Sequence, residues 1–141
     1  TGVQTCALPI YTNILLDILV FDEELAHPLR EALEMKSVDA VSTPRMVAEF
    51  LDVIARPQFE LSVGAQKEIA TQWGLWCRMV DDESLQLAPW KCRDRDDQVF
   101  INLSYSLRPA TLISKDKQVL KLAKRAFKEQ VVITSDHSRF T

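Results

Sequence analysis

Five carboxylates in this chain matter for where they fall. Asp94, Asp96 and Asp97 crowd three negative charges into four residues. Asp116 follows Ser114 and Lys115 at the end of an apolar stretch, and Glu49 sits inside an apolar helix. Carboxylates brought to one spot can hold hard cations such as Mg²⁺ or Mn²⁺, which prefer oxygen ligands and water. Such ions activate water and stabilise charge on a phosphodiester during in-line attack. Each acid also has a plainer role. Acidic residues cap helix N-termini, which serves for Asp116 and for at least one of the three near Asp94, although one cap does not need three. Asp97 shares a helix side with Phe100, Ile101 and Ser104 and so faces inward. Glu49 lies beside Met46 and Val53, at the edge of the apolar stripe Val47, Phe50, Leu51 and Ile54. There it either snorkels to water or is aimed at something cationic. Asp52 lies opposite, near Arg45 and Arg56, as a solvated ion-pair partner.

The elements that position these groups alternate between strand and helix. Tyr11 to Ile14 reads as the end of a strand, Asn13 to Val20 as a short helix, and Glu23 to Met35 as a second. Leu25, Leu29, Ala32 and Leu33 share one face of the second helix. Asp39 to Ser42 is a strand. Thr43-Pro44 is a strong helix start, and Pro57 ends that helix after about Ala55. Ser62 caps a helix expected to reach about Val80, and Leu85 to Leu87 reads as extended. A helix runs from Asp94 to near Leu107, a strand from Thr111 to Ser114, a helix from Lys117 to Lys128, and a last strand from Gln130 to Thr134. This alternation predicts an α/β domain with a central parallel sheet and right-handed crossovers. In such sheets ligands bind outside the carboxyl ends of the strands, where Thr12, Asn13, Ser114 and Asp116 fall.

Composition narrows the options. The 141 residues carry 17 Lys+Arg against 20 Asp+Glu, and 47% are apolar, as in a soluble globular domain. The apolar run Ile14–Phe21 is interrupted by Asp17 and too short to cross a bilayer. With three glycines there is no dinucleotide or phosphate-loop fingerprint. Cys6, Cys77 and Cys92 are too far apart for a zinc pattern, and a disulfide scaffold is not expected, so a reduced, cytoplasmic setting fits. His27 and His137 have no nucleophile constellation around them.

Residues 1–10 stand apart. Thr-Gly-Val-Gln-Thr-Cys-Ala-Leu-Pro-Ile is the translation of a sequencing-adapter oligonucleotide, ACT GGA GTT CAG ACG TGT GCT CTT CCG ATC. They are therefore expected to be non-native and outside the fold. The adapter's next base, T, would open codon 11 and turn an Asp codon (GAC or GAT) into a Tyr codon (TAC or TAT).

From residue 11 onward the chain resembles the PIN-domain family, in its bacterial subgroup of toxins from toxin–antitoxin systems. Thr12-Asn13 with Leu16-Asp17 to Phe21-Asp22 is similar to that subgroup's opening, which normally begins Asp-Thr-Asn. The stretches Ser42-Thr43-Pro44, Ala48-Glu49-Phe50 and Ala55-Arg56-Pro57-Gln58-Phe59 resemble its second block. Cys92-Arg93-Asp94-Arg95-Asp96-Asp97 resembles its Cys-Arg-Asp-Pro-Asp-Asp block, with Arg95 in place of Pro. Ser114-Lys115-Asp116 is similar to the Ser/Thr-x-Asp block, and Val132-Ile133-Thr134 with Phe140 to the closing strand. The resemblance implies a three-layer α/β/α nuclease domain over residues 11–141, with its first strand truncated. It implies a metal-dependent endoribonuclease acting on single-stranded RNA, with Mg²⁺ or Mn²⁺, an antitoxin partner, a possible homodimer and no membrane. Glu49, Asp97 and Asp116 would be the catalytic, metal-holding acids, with Asp94 a further ligand and Thr12, Asn13 and Ser114 supporting polar groups. Tyr11 departs from the pattern: the family has an Asp there, and a phenol, with an ordinary pKa of about 10, is neutral at pH 7. The chain is therefore expected to bind metal weakly or not at all. A non-catalytic PIN-like module that binds RNA or protein is the alternative.

Charge is uneven along the chain. Acidic residues dominate 15–40, and basic residues dominate 108–128, where Asp116 is the only acid. Affinity for a polyanion comes from Lys and Arg, so Lys115 and Lys117 are the expected guides for an RNA backbone. A solvated basic helix is the simpler reading. Trp73, Trp76 and Trp90 are expected in the core, or otherwise at a partner surface.

Overall fold

The computed structural model describes residues 6–136. A five-stranded sheet is built from β1 (Ala7–Pro9), β2 (Asp39–Ser42), β3 (Arg78–Met79), β4 (Ala110–Ile113) and β5 (Val131–Thr134). Its order is β3-β2-β1-β4-β5, with every neighbouring pair parallel. Helices α1 (Thr12–Leu19), α2 (His27–Glu34), α3 (Pro44–Ile54), α4 (Val63–Trp76), α5 (Arg95–Ser106), α6 (Lys117–Leu120) and α7 (Ala123–Phe127) complete a three-layer α/β/α arrangement. The sequence builds outward through β2 and β3, then returns past β1 to lay down β4 and β5. The order therefore reverses between β1 and β4, and the crevice of such a sheet opens at their carboxyl ends.

Buried apolar side chains fill both sides of the sheet. Ile10, Val41 and Leu112 come from strands or their ends, and Ile14, Phe50, Phe100 and Leu103 from helices, each no more than 1% exposed. Trp73 and Trp90 lie in this core, as expected; Trp76 is partly buried and Leu75 is exposed. In α3 the buried stripe is Met46, Phe50 and Ile54, whereas Leu51 is exposed. That rotation places Glu49 nearer the apolar side than the stripe expected from the sequence. Thr43 caps α3, its hydroxyl oxygen accepting the Met46 N–H at 3.2 Å.

Several expectations need correction. Residues 7–9, expected outside the fold, form the central strand, and the strand expected to end at Tyr11–Ile14 is this one; helix begins at Thr12. The reason is compositional, since Ala7, Leu8 and Ile10 are apolar enough to be buried on both faces. Thr1–Thr5 of that segment, with His137 and Phe140, lie outside the described residues. Helix α2 begins at His27, after a short 3-10 turn at Glu24–Ala26, because Pro28 fits a first turn. Leu25 is consequently outside it and 80% exposed. Helix α4 stops at Trp76, since Arg78–Met79 pairs with Val41–Ser42 and the Arg78 guanidinium forks onto Asp39 at 2.9 and 3.2 Å. Leu85–Leu87 forms no strand and follows a 3-10 turn at Asp82–Ser84. The basic helix divides into α6 and α7 where the Leu122 N–H bonds to Val119 O, a tight three-residue turn.

The central strand contains a flaw. Ala7 N–H donates to Pro109 O and Tyr11 N–H to Ile113 O. Strand groups alternate sides, so residue 9 should donate between them, toward Thr111. Pro9 has no N–H, and the β1–β4 ladder is reduced to Ala7↔Ala110 and a bridge at Ile10↔Ile113.

Candidate active site

The carboxyl ends of β1 and β4 deliver Tyr11-Thr12-Asn13 and Ser114-Lys115-Asp116 to the crevice. The Thr12 hydroxyl donates to Glu49 Oε2 at 3.0 Å, tying α1 to α3. Asn13 Oδ1 accepts the Lys115 N–H at 3.3 Å, tying α1 to the loop after β4. Ser114 is fully buried, and its Oγ accepts the Asp116 N–H at 3.0 Å. Asp116 caps α6, its Oδ1 accepting from Gln118 N at 2.8 Å and Val119 N at 3.4 Å. Asp94 caps α5 through Asp96 N at 2.8 Å. The capping roles available in the sequence are thus filled by Asp94 and Asp116.

Asp97, in the first turn of α5, is only 6% exposed. Cys92 Sγ lies 3.8 Å from Asp97 Oδ2. Burial, and then the neighbouring charge of Asp116, push the Asp97 carboxyl up to about 6. Glu49 is also raised. Burial is the main cause, opposed by the Thr12 hydrogen bond, with Asp96 and Asp94 adding repulsion and Arg56 relieving it. The fold therefore brings Asp97 to Asp116, and Glu49 to Thr12, Asp96 and Asp94. Among the described residues, no three His, Cys, Asp or Glu side chains gather into a group that could hold a metal ion. The donor set of the described residues therefore does not fit a divalent cation.

Tyr11 sits where the central strand passes into α1. It is 7% exposed, and its ring packs on Phe100 of α5, with centroids 4.4 Å apart. Its backbone N–H bonds to Ile113 O at 3.0 Å, so the residue touches both the helix that carries Asp97 and the strand that leads to Asp116.

Three further features surround the site. Asp17 is buried in α1 and ion-paired to Lys115, Nζ to Oδ2 at 2.6 Å. Its interruption of the apolar run Ile14–Phe21 was the available signal. Asp96 lines, with Glu49 and Arg45, a hollow of about 320 Å³. Beside it lies a larger cavity of about 440 Å³, sharing Arg45 and Val99 with the first. Lys115 and Lys117 are both exposed, but only Lys115 is drawn into an ion pair among the described residues.

The parallel sheet, its switch point and the acids around it define an α/β domain of nuclease type. A family model described as PIN domain matches residues 10–118, most of the chain, and the chain belongs to the PIN-domain family. PIN domains are generally nucleases and usually use divalent metal ions. No curated protein matches the chain. Among the described residues, no helix is long and apolar enough to cross a membrane.

Proposed function

We propose that this chain derives from the toxin of a toxin–antitoxin system, a Mg²⁺- or Mn²⁺-dependent endoribonuclease cutting single-stranded RNA, and that its site is impaired at Tyr11. The observation that carries this reading is Tyr11 itself. It follows the central strand, is buried, and touches both the helix that carries Asp97, through Phe100, and the strand that leads to Asp116, through Ile113 O. An Asp at that position would add a third carboxylate to a pair that already repels. Glu49, Asp97 and Asp116 are the proposed catalytic acids. Asp94 is the proposed further metal ligand, Thr12, Asn13 and Ser114 support the site, and Lys117, which makes no ion pair among the described residues, is the proposed cation on the RNA path.

The adapter origin of residues 1–10 belongs to this reading. Proline is confined to edge strands, first positions and bulges, and Pro9 ends the central strand with a missing ladder bond. An antitoxin protein as inhibitor, a homodimer and a cytoplasmic setting complete the proposal. The deciding experiment compares cleavage of a labelled single-stranded RNA by the Tyr11 chain and by Tyr11→Asp, with Mg²⁺ or Mn²⁺ and with EDTA. Asp97→Asn in the Tyr11→Asp background is the control. Metal-dependent cleavage by Tyr11→Asp alone is expected, and equal strong cleavage by both overturns the impairment.

A second reading has its own support. The closed packing of Tyr11 on Phe100, and the lack of a three-acid group among the described residues, suit a PIN-like module that binds RNA or protein without cutting. Absence of cleavage by Tyr11→Asp, with RNA binding intact, would favour it.

A further inference from the structure

The larger cavity beside Glu49 and Asp96 has a chemistry of its own. Its walls include Arg45, Asp82, Leu85, Leu87, Arg95 and Val99. Neither Arg45 nor Arg95 makes an ion pair among the described residues. Both sit in the first turn of a helix, α3 and α5, where a cation works against the helix dipole. Their placement therefore adds nothing to helix stability. Asp82 Oδ2 accepts the Arg45 backbone N–H at 3.0 Å. Its other oxygen, Oδ1, is the only buried side-chain oxygen or nitrogen among the described residues without a hydrogen-bond partner. That oxygen is closed to solvent, so what Asp82 supplies is the anchor of the α3 start.

We propose that Arg45 and Arg95 form a nucleotide subsite for single-stranded RNA, next to the acidic site and sharing its Arg45–Val99 wall. The two guanidiniums take a backbone phosphate, for which their fork geometry is suited. Leu85, Leu87 and Val99 offer an apolar face to the sugar and base. The volume of about 440 Å³ lies within the usual range for small-ligand pockets, roughly 300–1,000 Å³. Phosphate chemistry explains why Arg stands at 95 in a block so dense in acids: the strand leaves the carboxylates and meets a cation.

The inference rests on the reading of RNA as the substrate, and its test separates the two. A fluorescent single-stranded RNA is titrated with the full chain in EDTA, so that binding is read without cleavage, at several salt concentrations. Arg45→Gln and Arg95→Gln are each expected to weaken binding and to lower the slope of log K against log salt, and the double variant by about 0.7, one phosphate contact on a single strand. Arg125→Gln, an exposed cation of α7 outside the cavity, is the charge control and is expected to leave the slope unchanged. As a second readout, a nucleoside 5′-monophosphate is expected to shift the amide resonances of Leu85, Leu87 and Val99, and to shift them less in Arg95→Gln. RNA binding with an unchanged slope in both cavity variants, or an equal effect of Arg125→Gln, overturns the subsite and leaves the nuclease reading standing. Failure of the parent chain to bind RNA at all overturns both.

Discussion

The ammonium of Lys115 lies 2.6 Å from Asp17 Oδ2, and Asp17 is only 8% exposed while Lys115 is about half exposed. The pair joins α1 to the loop after β4, the same two segments that Asn13 joins through the Lys115 backbone. Lys115 is thus fastened at both its main chain and its side chain, one residue before Asp116. Its side chain steadies the loop more than it offers charge to a polyanion.

Lys115→Met would leave the Asp17 carboxylate buried without its cation. Fully buried pairs lose about 3–5 kcal/mol when broken, but the exposure of Lys115 brings the expected loss down to about 1–2 kcal/mol. Urea unfolding at pH 7 measures it, with Lys115→Arg retaining most of the stability. A loss in Lys115→Met no larger than in Lys117→Met would contradict the clamp.

Pro9→Val restores an N–H facing the Thr111 carbonyl at the centre of the sheet. One recovered backbone bond contributes about 0.5–1.5 kcal/mol, and a β-branched residue suits a strand. A rise in the urea midpoint without a change in slope is the expected result. The same change at Pro57, outside the sheet, should bring no such gain.

Asp97 makes the fold pH-sensitive. Its carboxyl, raised to about 6, holds a proton more tightly in the folded than in the unfolded chain. Its contribution is therefore most favourable below about pH 4, declines as pH rises to about 6, and is constant beyond. Glu49 shifts in the same direction. Asp97→Asn should be more stable than the parent at pH 7.5, by something on the order of 1–2 kcal/mol, and the difference should shrink toward pH 4. Parallel stability curves for the two proteins between pH 4 and 7.5 would rule this out.

Tyr11→Asp removes the ring from Phe100, an aromatic contact worth about 0.5–1.5 kcal/mol beyond its buried area. It also places a carboxylate at the carboxyl end of the central strand, against the helix that carries Asp97. The variant should melt several degrees below the parent in EDTA. Millimolar Mn²⁺ should return much of that loss, since a ligand at about 100 times its Kd adds about 2.7 kcal/mol. The Tyr11 chain should not respond. Equal Mn²⁺ shifts in both melts would refute the assignment of residue 11 as the deciding position.

Residues with local physical signatures were readable in the sequence. Thr43 and Pro44 announced α3, Asp94 announced α5, and the β-branched stretch before Thr134 announced the last strand. Glu49 was separable from Asp52 by helical spacing alone, and the Asp52–Arg56 pair at 3.5 Å confirms the exposed side. Features that depend on tertiary neighbours were hidden. Asp17 looked like one charge among an acidic third of the chain, and only its burial opposite Lys115 distinguishes it. Arg78 looked like part of a helix until Asp39 drew it into a strand. Arg45 and Arg95, fifty positions apart in sequence, have no common signal until two helix starts bring them to one cavity.

The place of β1 has a consequence for biosynthesis. Its neighbours are β2, close behind it, and β4, roughly a hundred residues later. A nascent chain lengthens by about 5–20 residues per second, so this strand waits on the order of 5–20 s for its second partner. Throughout that interval its outer edge is open to any extended segment that meets it. Pro9 lies on that edge, and the missing N–H that weakens the finished sheet also makes the unfinished one a poorer template for aggregation.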